Sequence, residues 1–353
     1  MGLGAGKKRG FKDLYPPPML ALIARRLLQL PLILLVIYTI TLALAWAVPG
    51  NPLENPEGRR PAPEVQAAMK ARYNLDSFWK FYVSYLDQAS GLRWTRDAIS
   101  GRAAEREQAA RAAGHMPPER RVFDLGPSLQ YSDQVVNDII ASSLPVSMTV
   151  GSLAIVIALA LGVSAGVVGA SKPGSLLDHS TLALALVGIS LPTFVVGTVL
   201  LFVFSVWLRW FPIGTWSSPR DVVLPAFTLS LPFAAYIARL TRMGMIEALQ
   251  ADYIRTARAK GVAEFNILFK HALKNAFLPV LSYLGPATAM AMTGSFVVER
   301  VFNVPGLGQH FVNAVQNKDL FLIIGVVLIF STMLVVMNLV VDVLYRWVDP
   351  RIA

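Results

Sequence analysis

The chain has 353 residues, of which 54% are hydrophobic and only 15% charged, with a mean hydropathy of +0.52. Soluble domains carry about 25% charged residues, so an integral membrane protein is the expected class. The net charge of +10 does not point to nucleic acid, because the basic residues gather at the ends of apolar runs instead of forming one stripe. The absence of cysteine excludes a disulfide framework, thiol catalysis and any cysteine-bound metal.

Residues 1–26 form a basic tail, whose glycine- and lysine-rich first part ends in Pro16-Pro17-Pro18 and predicts flexibility. Gly2-x-Gly4-x-Gly6-Lys7-Lys8 lacks the spacing and the Ser or Thr of a phosphate loop, and no strand precedes it. The first charge-free run spans 27–48. Ala45-Trp46-Ala47 resembles a signal-peptide cleavage site, but the run exceeds the usual core of about 7–15 residues, so an uncleaved helix is expected.

Residues 49–146 form a polar segment with twelve basic and twelve acidic residues. Short helices are predicted over Pro63–Lys70 and Phe78–Leu86. The aromatic residues of the second either lie at a membrane interface or pack a small lid. Residues 103–113 are good helix formers with little apolar surface, so they predict a solvated excursion within an insert near 94–121. Asp133–Ile140 reads as a helix lying along the surface before the second span.

Further charge-free runs follow at 147–170, 180–208, 222–238, 277–298 and 320–341. A bilayer core of about 30 Å takes about 20 helical residues, so six crossings are predicted and both termini share one side. The fourth run is the shortest and contains Pro225 and Pro232, which allows a broken helix. Gly162, Gly166 and Gly169 recur at helical intervals in the second. They suit close packing either within the chain or against a partner. Lysine and arginine concentrate in the N-terminal tail, in a loop over 240–276 and near the C-terminus over 346–353, which makes that face cytoplasmic. The core is thus expected over 147–345.

The loop 240–276 is the most informative stretch. It reads as two short helices joined by a glycine turn. Asp252 opens the first, Arg258 and Lys260 end it, and Gly261 stands where a left-handed cap would stop it. The second starts near Ala263, with Glu264 early and Lys270 and Lys274 late.

Tyr253-Ile254-Arg255-Thr256-Ala257-Arg258-Ala259-Lys260-Gly261, with His271-x-Leu273-Lys274 ten residues on, resembles the coupling loop of ABC-importer permeases. Gly261 and Ala257 match the general pattern, whereas Arg255 and Thr256 depart from it and resemble the variant in oligopeptide and dipeptide permeases. Asp124-Leu125-Gly126-x-Ser128, Leu144-Pro145, Leu278-Pro279-Val280-Leu281-Ser282-Tyr283, Gly294-Ser295, Val304-Pro305-Gly306-Leu307-Gly308-Gln309 and Asp349-Pro350-Arg351 follow in that subfamily's order. The resemblance implies an all-α, six-helix type I importer permease in the bacterial inner membrane, surrounded by lipid. It also implies a second permease, two cytoplasmic ATPases and an extracytoplasmic peptide-binding protein. ATP would be used by the partners, and this chain would carry no cofactor and no catalytic set. Pro305, Gly306 and Gly308 would form a rigid bend near the substrate exit, as a gate or as a structural turn.

No H-E-x-x-H pattern exists, so zinc hydrolysis is unsupported. Glu299 and Asp342, at span ends, either contact substrate or a partner or snorkel to the interface. Permeases with this loop also serve nickel, glycosides or peptide antibiotics. A gradient-driven transporter or channel would need an ion site within the spans, and an intramembrane enzyme would need paired catalytic groups. The six runs contain no Asp, Glu, Lys, Arg or His.

Overall fold

The computed structural model describes residues 19–53, 62–101, 108, 121–131 and 134–348. The expected flexible tail, the excursion over 103–113 (apart from Gln108) and the terminal Asp349-Pro350-Arg351 lie outside them. Among the described residues all regular elements are helices, and an isolated antiparallel bridge joins Pro127 to Val135.

Helix α1 is Met19–Ala47, followed by α2 (Pro63–Tyr73), α3 (Phe78–Ala89) and α4 (Leu92–Ile99). Helix α5 runs unbroken over Val136–Ser171. The separate surface helix expected over 133–140 is therefore the first part of α5. Val136, Ile139 and Ile140 are buried in the same cluster as Phe321, Leu322 and Ile324, which holds the helix in line with the span despite Pro145.

The run 180–208 is not one straight helix. Helix α6 (Leu176–Ser190) and α7 (Thr193–Leu201, continued by a π turn over Phe202–Trp207) meet at 101°. Pro192 lacks an N–H and drives Leu191 into the extended region, at φ −81° and ψ 130°. The fourth run behaves oppositely. Helix α8 (Val223–Gln250) contains Pro232 yet stays continuous, and it extends past the expected loop boundary at residue 240.

Helix α9 (Asp252–Ala259) and a second helical run, α10 (264–276, with a π turn over Ile267–Ala272), form the loop. Helix α11 (Leu278–Met292) follows α10 after Phe277 alone, and then α12 (Phe296–Phe302), α13 (Leu307–Gln316) and α14 (Leu320–Val348).

Four helices are long and apolar enough to cross a bilayer, and the bent α6–α7 pair makes up to five. The fifth expected crossing, at 277–298, is divided between the 15 residues of α11 and the start of α12, because Gly294 at φ +90° ends α11. Length and apolarity alone thus support four or five crossings among the described residues, with α11 a shorter apolar helix. Among the described helices, α5 and α8 make the most extensive contact. A Cβ on Gly162 would lie 2.6 Å from the Ala234 carbonyl oxygen, and one on Gly166 would lie 2.7 Å from that of Ala238. These glycines therefore serve packing within the chain.

Helix α3 resolves its two readings by face. Phe81 and Tyr85 are buried against Tyr38 and Phe321, while Trp79 and Val83 point outward. The Tyr38 hydroxyl donates to the Tyr82 carbonyl at 2.8 Å, tying α3 to α1.

Candidate functional site: a keyed loop and a clamped turn

Helix α9 is mostly polar and solvent-facing, with one exception. Ile254 is fully buried, in a cluster with Val167 and Ala170 of α5, Met245 and Ala248 of α8, and Ile267, Ala272 and Ala276 of α10. Burying such a side chain contributes about 1.5–3 kcal/mol, more than an eight-residue helix can muster alone. Ile254 is therefore the key that seats α9 on the bundle.

The turn after α9 has the expected form. Gly261 sits at φ +73°, the Val262 N–H donates to the Ala257 carbonyl at 3.2 Å, and the Gly261 N–H donates to the Arg258 carbonyl at 2.9 Å. This double bond pattern satisfies the last carbonyls of the helix. Arg258 then reaches across the turn to Glu264, with Nη2 donating to Oε1 at 2.7 Å. That hydrogen bond raises the guanidinium above its ordinary pKa.

The loop residues named from the sequence do not all face one way. Tyr253, Arg255, Thr256, Arg258, Ala259, Lys260, Gly261 and Lys274 are exposed. Ala257, His271 and Leu273 are partly buried, and Ala257 and Leu273 pack against the Ile254 cluster. The Tyr253 hydroxyl accepts a hydrogen bond from Asn275 Nδ2 at 3.0 Å, linking α9 to α10. Phe265 and Phe269, tilted at 35° with ring centroids 4.7 Å apart, stand exposed beside this polar face. The result is a compact knob with its apolar key turned inward. Replacing Gly261 by valine should cost about 1 kcal/mol or more through the left-handed backbone alone, since no atom lies near a Cβ there. Protease sensitivity between α9 and α10 should rise while membrane insertion stays normal. Unchanged sensitivity would mean that the turn tolerates a Cβ.

At the opposite end of the bundle, Glu299 does not snorkel. It is only 1% exposed, in the first turn of α12. Its Oε1 accepts from Ser147 Oγ at 2.7 Å and its Oε2 from the Gln309 N–H at 3.1 Å. Ser147 Oγ in turn accepts from the Leu307 N–H at 2.8 Å. The carboxylate thus sits at the N-terminus of α13, where the helix dipole favours negative charge. A Cβ on Gly306 would lie 2.4 Å from the Glu299 carboxyl carbon, and one on Gly308 2.9 Å from Oε2. Gly306 and Gly308 are therefore needed for this close approach, while Pro305 faces outward.

Asp319 makes a parallel arrangement. It is fully buried before α14 and accepts from Ser128 Oγ, from the Leu129 N–H at 3.0 Å and from the Leu322 N–H at 3.2 Å. Burial holds its carboxyl above the ordinary range, and burial likewise holds the His310 imidazole of α13 below its own. Asp342 pairs with Arg26 at 2.8 Å, joining α14 to α1.

The family model for the binding-protein-dependent transport system inner membrane component matches residues 139–353. The chain belongs to this family. Among its relatives, the dipeptide transport system permease protein DppB of Bacillus subtilis is 39% identical over 320 residues, covering 90% of this chain and 93% of its own. The oligopeptide transport system permease protein OppB of Salmonella typhimurium is 39% identical over 337 residues, covering 95% and 99%. The DppB of Lactococcus lactis is 34% identical over 335 residues. Both the keyed loop and the clamped turn fall within the matched region, so they belong to the part of this inner-membrane component that defines the family. Among the described residues no group of His, Asp and Glu is placed to hold a metal ion.

Ile254, Ser147 and Asp319 are not singled out by the sequence. Ile254 carries a usable signal, being the only large aliphatic side chain in an otherwise polar eight-residue helix. The two others hold partners 152 and 191 positions away, which no local pattern reveals.

Proposed function

We propose that this chain is one membrane subunit of an ATP-driven importer of oligopeptides or dipeptides. The observation that carries the reading is the knob formed by α9 and α10, seated by Ile254 and presenting a basic and aromatic face away from the bundle. Two cytoplasmic ATPases would dock there, so the loop end is the cytoplasmic side and both termini lie with it. A second permease, homologous or identical, would complete the path, and an extracytoplasmic peptide-binding protein would deliver cargo at the end of the clamped turn 303–308. ATP binding would close the ATPases and move the knob, and the spans would follow in alternating access. The chain itself performs no hydrolysis. Peptide cargo rests on the names of the relatives; nickel, glycosides and peptide antibiotics are the alternatives.

The six apolar runs hold no Asp, Glu, Lys, Arg or His, whereas carriers driven by protons place such groups near midplane. Proteoliposomes holding this chain, its partner permease and the ATPases, with binding protein and labelled peptide outside, should accumulate peptide only when ATP is present at the ATPase face. Liposomes lacking the ATPases should accumulate none under an imposed proton gradient. Robust gradient-driven accumulation there would overturn the reading.

A further inference from the structure

Helix α6 lies along α8 and α5 with most of its surface turned outward. Its large apolar side chains Leu176, Leu177, Leu184 and Leu186 all face outward, and its buried residue is a carboxylate, Asp178. Both oxygens of Asp178 are held by Arg242 of α8, through Nε to Oδ1 and Nη2 to Oδ2, the latter at 2.8 Å. Oδ2 also accepts from the Gly174 N–H at 2.8 Å, and the Ser175 hydroxyl accepts from the Asp178 N–H at 3.3 Å. The turn before α6 and its first turn are thus locked to one arginine.

The remaining attachments run along α8 and α5 and include small side chains. Thr181 lies against Gly169 of α5, and Gly188 comes no closer than ordinary contact to Ala235 and Leu231 of α8. Lipid is as apolar as these helices, so shallow contacts of this kind give little hold. A two-bond guanidinium–carboxylate fork, by contrast, is strong and directional.

Arg242 is well placed to carry motion. Met245 lies one turn further along the same continuous helix, and Met245 and Ala248 clasp Ile254 of the knob. A displacement of the knob is therefore delivered to α8 through packed side chains, and to the first turn of α6 through a directional ion pair.

We propose that the Asp178–Arg242 pair is the joint that makes the bent α6–α7 segment follow the knob, and that it positions this segment for each transport cycle. Asp178 and Arg242 are positioning residues in this role, not peptide contacts. The inference rests on the ATP-coupled reading above. A wild-type complex that took up peptide without ATP would remove that reading before any variant was compared.

The test uses the whole complex in proteoliposomes, with peptide uptake and ATP hydrolysis measured together. D178N and R242Q should assemble and hydrolyse ATP near the wild-type level, while peptide taken up per ATP falls about tenfold, within the usual range of coupling between sites. A purely static tie would instead lower assembly, hydrolysis and uptake in parallel, and that result would overturn the joint. So would an unchanged ratio of peptide to ATP in both variants.

Discussion

Glu299→Ala is expected to abolish peptide uptake and to lower the thermal midpoint of the purified complex. The change strips Ser147 Oγ and the Gln309 N–H of their acceptor in a site closed to water, and leaves the N-terminus of α13 without its countercharge. Unsatisfied buried donors cost about 1–3 kcal/mol each, so a loss on the order of 3 kcal/mol is expected. Much of that loss should fall locally, on the turn 303–308, because α13 is also tied to Ser147 through Leu307. Glu299→Gln should be milder. It keeps the shape and one carbonyl acceptor, but presents an NH2 group to donors that need an oxygen. Thermal unfolding of the three complexes, set beside uptake, decides the matter. A wild-type midpoint together with wild-type uptake in the alanine variant would show that the carboxylate does not hold the turn.

The contrast between what the sequence foretold and what it did not follows from the range of the interactions. The Gly261 turn was legible because its determinants are local: a polar helix, a basic last turn and a glycine that must adopt positive φ. Membrane class and apolar runs were legible because they depend only on composition and length. Two breaks were misplaced for a reason proline makes clear. Pro192 stands at a break where its run bends by 101°, whereas Pro145 and Pro232 sit inside continuous helices. Proline frees a backbone carbonyl in each case, and the packing around it decides whether the helix bends or continues. The buried carboxylates were least legible. Glu299 at the end of an apolar run reads from sequence either as a substrate or partner contact or as an interface residue, and only the return of residues 306–309 against it makes a closed cradle. Asp178 and Asp319 stand just outside apolar runs for the same reason, since each caps or anchors a helix start while reaching a distant partner.

The inward side of the knob yields the sharpest test of how force reaches the spans. Ile254→Asp places a carboxylate among Val167, Met245, Ala248 and Ile267, with no cation in that cluster. Burying an unpaired charge costs several kcal/mol, which exceeds what holds α9 in place, so α9 should leave its seat while the spans still insert. ATP-driven uptake should then vanish, and the stretch 251–263 should become readily cleaved by protease. Ile254→Val removes one methylene and should cost only about 0.5–1.5 kcal/mol, leaving most uptake intact. Arg255→Ala is the complementary control. Arg255 is exposed and pairs only with exposed Asp252 at 3.3 Å, a contact worth little to the fold. Its loss should therefore leave protease resistance unchanged, and any fall in uptake would report on the docked ATPase. If Ile254→Asp kept both protease resistance and uptake, the knob would not be seated by Ile254, and the path from α9 through α8 to α6 would lose its first link.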